Sequence, residues 1–390
     1  MKKLLFILFI ILLNSCTNND KKTKEVSTKK QKAYLQKIKF VKSGIKKFEL
    51  DSLTAPLLAG IQLYDANNNY FLAYLNEETG SMYFNDMQTF KIVKTISMKG
   101  SSQEFKKKFQ GFYVHTPDSI FMVHFSPHVS LVNDSGIVLK KYNVKSLGNK
   151  RERLLTGGLS STTKNHPYLF QNKLYISSYV VGNLEDKEQR QVQIILNLNN
   201  GQTYLGSPVI PKEYNNKDFG GIHYFLYSTT FNPSTKSMIY SFPASSNLYI
   251  NPLGSTIMTS KIATSTYFDT IDEYEESKYS EAKSMKVGEY FMQNPSYGTV
   301  LYDKYRDVYY RMALLPVDVK NANYEAKNPP LKKISLIVFD KNFNYLGETQ
   351  LERDKYWSAS AFVSRDGLNI QNRTDSDATL DFTTFKFVAN

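Results

Sequence analysis

The feature that most constrains this chain is a repeat. Residues 297–351 read YGTVLYD, a turn KYRD, VYYRMALLP, a polar loop, KISLIVFD, a turn KNFN, and YLGETQL. These are four runs rich in Val, Ile, Tyr and Phe separated by Asp/Asn turns, the spacing of an antiparallel four-stranded sheet with strands A to D. The same order recurs over 61–96, 112–144, 168–206 and 224–262. A sixth copy (AFVS, RDG, LNIQNR, TLDFTTFKFV) ends with the chain before any D strand. Ile45-Lys46-Lys47-Phe48-Glu49-Leu50-Asp51 precedes the first copy, belongs to none of its four runs, and can supply the missing edge. The pattern predicts an all-β fold: a six-bladed β-propeller whose N-terminal strand closes the last blade. A large β-sandwich or two smaller β domains would account for neither the repeated order nor the complementary ends.

The N-terminus is of a different kind. Met1-Lys2-Lys3 and the ten apolar residues Leu4 to Leu13 form a charged start and a run too short for a bilayer span of ~20 residues. That run leads into Leu13-Asn14-Ser15-Cys16, which resembles a bacterial lipobox, and Cys16 is the only cysteine of the chain. The expectation is a lipoprotein signal peptide over 1–15, lipidation of Cys16, a flexible lysine-rich tether over 16–44, and the propeller over 45–390. The protein would be anchored in the cell envelope, in the outer membrane, with the side of the membrane left open. A single cysteine also rules out an intramolecular disulfide.

Charge argues against nucleic acid as a partner. The net charge is +13, but residues 16–47 carry eleven lysines against Asp20 and Glu25, and 48–390 are close to balanced. The aromatic content of 14% suits a strand-rich core.

In such a ring the A–B and C–D turns share one face, and the B–C and D–A loops the other. The first set is short and rich in Asn, Asp and Gly, which tolerate tight turns. Asp65 to Asn69 looks faintly like a calcium loop, but it lacks the glycine and glutamate such a loop needs and reads as a turn. The second set is long: 145–165, 182–190, 208–223, 264–294 and 316–330. Insertions gathered on one face mark it as the expected binding surface. Within 269–292, Ile271, Tyr274, Tyr279, Ala282 and Met285 are spaced as on an amphipathic helix.

Candidate ligand contacts follow from these positions. His166 and His223 directly precede strand A of blades 3 and 4, which places them near the mouth of the central channel. His128 lies in blade 2 with His115 and His124, where strand alternation points to polar core roles. Tyr356 and Trp357, in the loop before blade 6, could stack on a sugar ring, with inter-blade packing as the alternative. Tyr297 opens the clearest repeat and completes the set. No third ligand accompanies the two channel histidines, so neither a metal nor a cofactor is implied. No nucleophile elbow, zinc-binding helix motif or phosphate loop is present, and catalytic residues are not identified.

With YGTVLYDKYRDVYYR and ISLIVFDKNFNYLGETQL in view, the chain resembles a family of uncharacterised Bacteroidota lipoproteins with a domain of unknown function related to six-bladed propellers. The resemblance implies the fold and an envelope location, and brings no activity. The expected function is a non-enzymatic module that binds a protein, peptide or glycan through the long-loop face. A propeller hydrolase or lyase acting on polysaccharide at the channel mouth, and a sensor or assembly partner of an envelope transporter, are the alternatives.

Overall fold

The computed structural model describes residues 37–390 except 57, 59, 77–78, 99–108, 126–127, 145–157, 180–190, 279–282, 319–329 and 375. Cys16, the signal run and the tether up to residue 36 lie outside the described residues.

Six antiparallel sheets follow one another along the chain, and β1 (Ile38–Glu49) is held over for the last of them. Blade 1 is β2 (Ile61–Ala66), β3 (Asn69–Asn76), β4 (Ser81–Asp86) and β5 (Ile92–Ser97). Blade 2 is β6 (Phe109–Thr116), β7 (Ser119–His124), β8 (His128–Val132) and β9 (Val138–Asn143). Blade 3 has five strands: β10 (Gly158–Ser160), β11 (Tyr168–Phe170), β12 (Lys173–Tyr179), β13 (Gln193–Asn197) and β14 (Thr203–Leu205). Blade 4 is β15 (Ser228–Asn232), β16 (Ser237–Ser241), β17 (Asn247–Pro252) and β18 (Thr259–Ile262). Blade 5 is β19 (Ser296–Asp303), β20 (Val308–Leu315), β21 (Lys333–Asp340) and β22 (Tyr345–Gln350). Blade 6 is β23 (Tyr356–Ser364), β24 (Gly367–Asn372) and β25 (Thr379–Ala389), completed by β1 in the order β1-β25-β24-β23. This is the six-bladed propeller, closed by its N-terminal strand.

The core is divided among the seams between blades. Six apolar clusters each join a consecutive pair, the pair of blades 6 and 1 included. Middle strands are therefore covered on both faces: β3 is buried from Phe71 to Asn76 and β20 from Val308 to Leu314. That is why the sequence shows unbroken apolar runs instead of strict alternation. Outer strands face water, and β18 is exposed along its whole length.

Ring closure depends on β1. It pairs with β25 from Ile38↔Ala389 to Glu49↔Thr379. Phe48 is fully buried at the seam with blade 1, edge-on to Phe90, Phe362 and Phe382 at 5.2, 6.3 and 5.8 Å. At the seam with blade 5, the Phe40 amide donates to Thr349 Oγ1 (3.1 Å) and the Lys37 amide to the Leu346 carbonyl (2.8 Å). A Cβ on Gly347 would lie 2.2 Å from the Ile38 carbonyl oxygen, so only glycine allows this approach. The strand begins at Ile38 and not at Ile45, so 38–44 belong to the sheet and not to the tether. Lys39 and Lys42 mask a strand there, because an outer strand is largely open to solvent.

Two further expectations are corrected. Blade 4 does not start as a strand at Tyr224: Ile222–Tyr224 form a 3₁₀ turn and β15 starts at Ser228. The helix of the long insertion, α1, is Lys283–Gln293, later than the spacing suggested. Ile271 and Tyr274 come before it, outside any helix or strand, and pack into the same aromatic cluster. Tyr290, on α1, is fully buried there and donates its hydroxyl to the Asp272 carbonyl (2.6 Å). The insertions of blade 4 thus form a packed cap of the ring.

Cations also lie in the seams. Arg311, fully buried, donates to Ser241 Oγ (3.1 Å) and to the carbonyls of Ser245 (2.7 Å), Ser246 (3.1 Å) and Ala263 (2.8 Å), joining blade 5 to blade 4. Buried Lys332 donates to the Phe291 (2.9 Å) and Asn294 (2.6 Å) carbonyls, where its charge meets the negative end of α1.

Candidate functional site

The A strands converge on the ring axis, and a cavity of about 210 Å³ lies there. Its walls come from five blades: β2, the segment before β11, β15 with its turn, β19, and β23. Most of the wall is apolar, from Ile61, Leu63, Phe231, Leu301, Phe362 and Val363.

The segment 161–167 shapes this cavity. It interrupts the A strand of blade 3, between β10 and β11, and crosses the axis region from blade to blade. Ser161 Oγ donates to the Phe112 carbonyl of blade 2 (2.9 Å), and the Ile61 amide of blade 1 donates to Thr163 Oγ1 (3.0 Å). On the other side Asn165 Nδ2 donates to the Tyr227 carbonyl (2.9 Å), and the Thr229 amide of blade 4 donates to the Lys164 carbonyl (2.8 Å). Gly111 makes the crossing possible: at φ +147 its Cα passes so close to the Ser161 carbonyl that any Cβ would overlap it.

His166 ends the segment and lines the cavity. Its Nδ1 is buried and has no hydrogen-bond partner. Burial pushes the imidazole down to about 4, against a smaller opposing pull from the Ile61 backbone, so the ring is neutral at pH 7.

The short-turn end of the cavity carries the charges. Asp65 accepts from Arg365 Nη2 (2.6 Å) and from the Tyr305 hydroxyl, with Lys304 Nζ at 3.4 Å. Burial pushes the Asp65 carboxyl up, but Tyr305, Arg365 and Lys304 outweigh it and hold the group below the usual carboxylate range. These four residues come from blades 1, 5 and 6 and latch the turns across the axis. Asp303, at the matching place of blade 5, accepts from Arg306 Nη1 (2.8 Å) and the Tyr310 hydroxyl (2.6 Å).

Of the candidate ligand contacts named from the sequence, only His166 reaches the cavity. His223 sits in the 3₁₀ turn and stacks on Phe291 at 4.7 Å; burial, then Lys332 and Lys164, lower its pKa. Tyr297 is buried beneath the Arg311 guanidinium (3.6 Å), and its hydroxyl accepts from the Ser265 amide (3.0 Å), so it holds a seam and is closed to ligand. Tyr356 is the first residue of β23, buried edge-on to Phe385 at 5.5 Å. Trp357 is half-buried with the Arg373 guanidinium 5.7 Å from its ring, so the two do not form an exposed aromatic pair. His128 stacks on His124 at 3.9 Å within blade 2. Cys16 lies outside the described residues.

Sequence reasoning passed over Asp65, Lys304, Tyr305 and Arg365. A signal was present: Leu63-Tyr64-Asp65 and Leu301-Tyr302-Asp303 are the same tripeptide at the same place of two repeats. Among the described residues no three His, Cys, Asp or Glu side chains come together as a metal site.

The family model for a domain of unknown function, DUF4221, matches residues 37–350. This chain belongs to the DUF4221 family. A DUF4221 member from Bacteroides vulgatus has a solved structure that superposes with a TM-score of 0.77 at 19% identity, covering 91% of this chain and 99% of that one. A putative exported protein from Bacteroides fragilis superposes at 0.52 with 11% identity, covering 90% of this chain and 95% of that one. At these identities the likeness shows the fold of the DUF4221 chain alone. No curated protein is significantly similar to it in sequence.

Proposed function

We propose that this DUF4221 protein is an exported, lipid-anchored envelope propeller that works by binding, with the ring axis as its site. The observation that carries the reading is the axial cavity. It combines apolar walls, one neutral imidazole, and a single lining carboxylate, Asp65, already engaged by three neighbours. That is the make-up of a ligand pocket, a concave apolar site with a few polar groups. Cleavage of a polysaccharide by the usual route takes two carboxyl groups facing one bond, and the lining supplies one.

Export and anchoring are supported by the lipobox at Leu13-Asn14-Ser15-Cys16 and by the description of the Bacteroides fragilis neighbour as a putative exported protein. No helix among the described residues is long and apolar enough to cross a membrane, and a lipid on Cys16 would give attachment without one.

The native protein, purified from its own envelope fraction, tests both parts. A molecule retained through purification and identified by mass spectrometry supports binding. Turnover of envelope polysaccharide with nothing retained would overturn it. Cys16→Ala is expected to release the protein from the membrane fraction; unchanged fractionation would refute the anchor.

A further inference from the structure

We propose that the axial cavity takes an uncharged molecule about the size of a substituted six-membered ring, held by a hydroxyl hydrogen-bonded to His166. This rests on the reading above that the axis is a binding site, and names the ligand's chemistry.

Size comes first. The cavity, at about 210 Å³, exceeds the ~150 Å³ of an apolar protein cavity known to admit benzene. One ring with a substituent fits; a disaccharide does not. The walls come next. Ile61, Leu63, Leu301, Phe362 and Val363 line it with apolar side chains, which favours an apolar body.

The third observation is the imidazole itself. His166 lines the cavity and is half-buried; its Nδ1 is sealed off inside the protein, so a ligand meets the ring at its other nitrogen, Nε2. A neutral imidazole presents one donor and one acceptor, and a hydroxyl can meet either because it both donates and accepts.

Charged ligands fit poorly. A cation finds no free carboxylate, because Asp65 is taken by Tyr305, Arg365 and Lys304. An anion would have to compete with Asp65 for Lys304 or bring a proton onto His166. With that ring titrating near 4, the proton costs about a thousandfold at pH 7.

The test uses the full-length chain and three probes of one size: phenol, toluene and benzoate. Affinities are read by calorimetry, and His166 by the ¹⁵N resonances of its imidazole. Phenol is expected to bind, to shift the His166 resonances, and to exceed benzoate at least tenfold. In His166→Phe the ratio of phenol to toluene affinity should fall about tenfold, the worth of one buried neutral hydrogen bond. Leu301→Trp fills the cavity and leaves His166 in place; it should abolish phenol binding.

An unchanged ratio in His166→Phe, tightest binding by benzoate, or phenol binding that survives Leu301→Trp would each overturn the proposal. So would the failure of all three probes. If the probes fail while the native protein still carries a molecule, the ligand class is wrong and the binding reading stands. If neither is found, both fall together.

Discussion

Replacing His166 by phenylalanine should flatten the acid limb of the stability curve. The imidazole titrates near its ordinary 6.5 in the unfolded chain and near 4 in the folded one, because burial disfavours its charged form. A folded value below the unfolded one means that stability is fully present above about 6.5. It is lost as pH falls, and the loss levels off below about 4. The gap between the two values corresponds to ~3 kcal/mol in all. Between pH 7 and pH 5 the loss is about 2 kcal/mol, since at pH 5 the unfolded ring is almost fully protonated and the folded ring almost not.

Phenylalanine keeps the ring and removes the titration. The difference in unfolding free energy between variant and wild type should therefore move by about 2 kcal/mol in the variant's favour from pH 7 to pH 5. His115 and His223 are also lowered by burial, but both proteins retain them and their terms cancel. At pH 7 the variant should be no less stable, because an unpartnered buried nitrogen has been removed. Urea unfolding at the two pH values, followed by circular dichroism and by the fluorescence of the single tryptophan, Trp357, provides the measurement. Parallel pH profiles would refute the reasoning and place His166 in contact with water.

Other expectations concern the seams. Phe48→Ala removes a fully buried ring in contact with three others and should cost about 3–5 kcal/mol in denaturant unfolding. Gly347→Ala drives a Cβ onto the Ile38 carbonyl; a loss of about 1–3 kcal/mol is expected, and amide exchange should show it concentrated along β1. Arg311→Met leaves the Ser245, Ser246 and Ala263 carbonyls without their donor and should cost on the order of 3 kcal/mol. An unchanged thermal midpoint combined with normal expression would show that the desolvation of the guanidinium cancels its hydrogen bonds.

The fold was legible because strand chemistry is local. Val, Ile and Tyr runs punctuated by Asn and Asp mark each sheet, and the left-handed Asn67 and Asn68 do what the turn reading required. The strand count of blade 6 also followed, since an unmatched run stood at each end of the chain. The site was much less legible. Tyr297, Tyr356 and Trp357 looked available because aromatic side chains serve seams and ligands alike, and only burial tells the two apart. His166 and His223 looked equivalent, each just before an expected A strand, yet a crossing segment carries the first to the axis while a 3₁₀ turn leaves the second against Phe291. That crossing depends on hydrogen bonds to blades 1, 2 and 4, which no spacing rule encodes. Asp65 could be placed in a turn, but its partners Tyr305 and Arg365 come from blades 5 and 6 and are distant in sequence.

The pairing of β1 with β25 also has a consequence in time. A ribosome makes Ile38 before any strand of blades 1 to 5 and Ala389 after all of them, so the first strand must wait for the rest of the ring to be made before its partner exists. Every other blade draws on one stretch of chain and can form as it emerges. The sixth cannot, and until it does the seams on either side of it lack Phe40 and Phe48. The circle therefore shuts only after the strands of all six blades have been made. Until then the molecule is an open arc whose last blade lacks its outer strand and presents an unpaired edge.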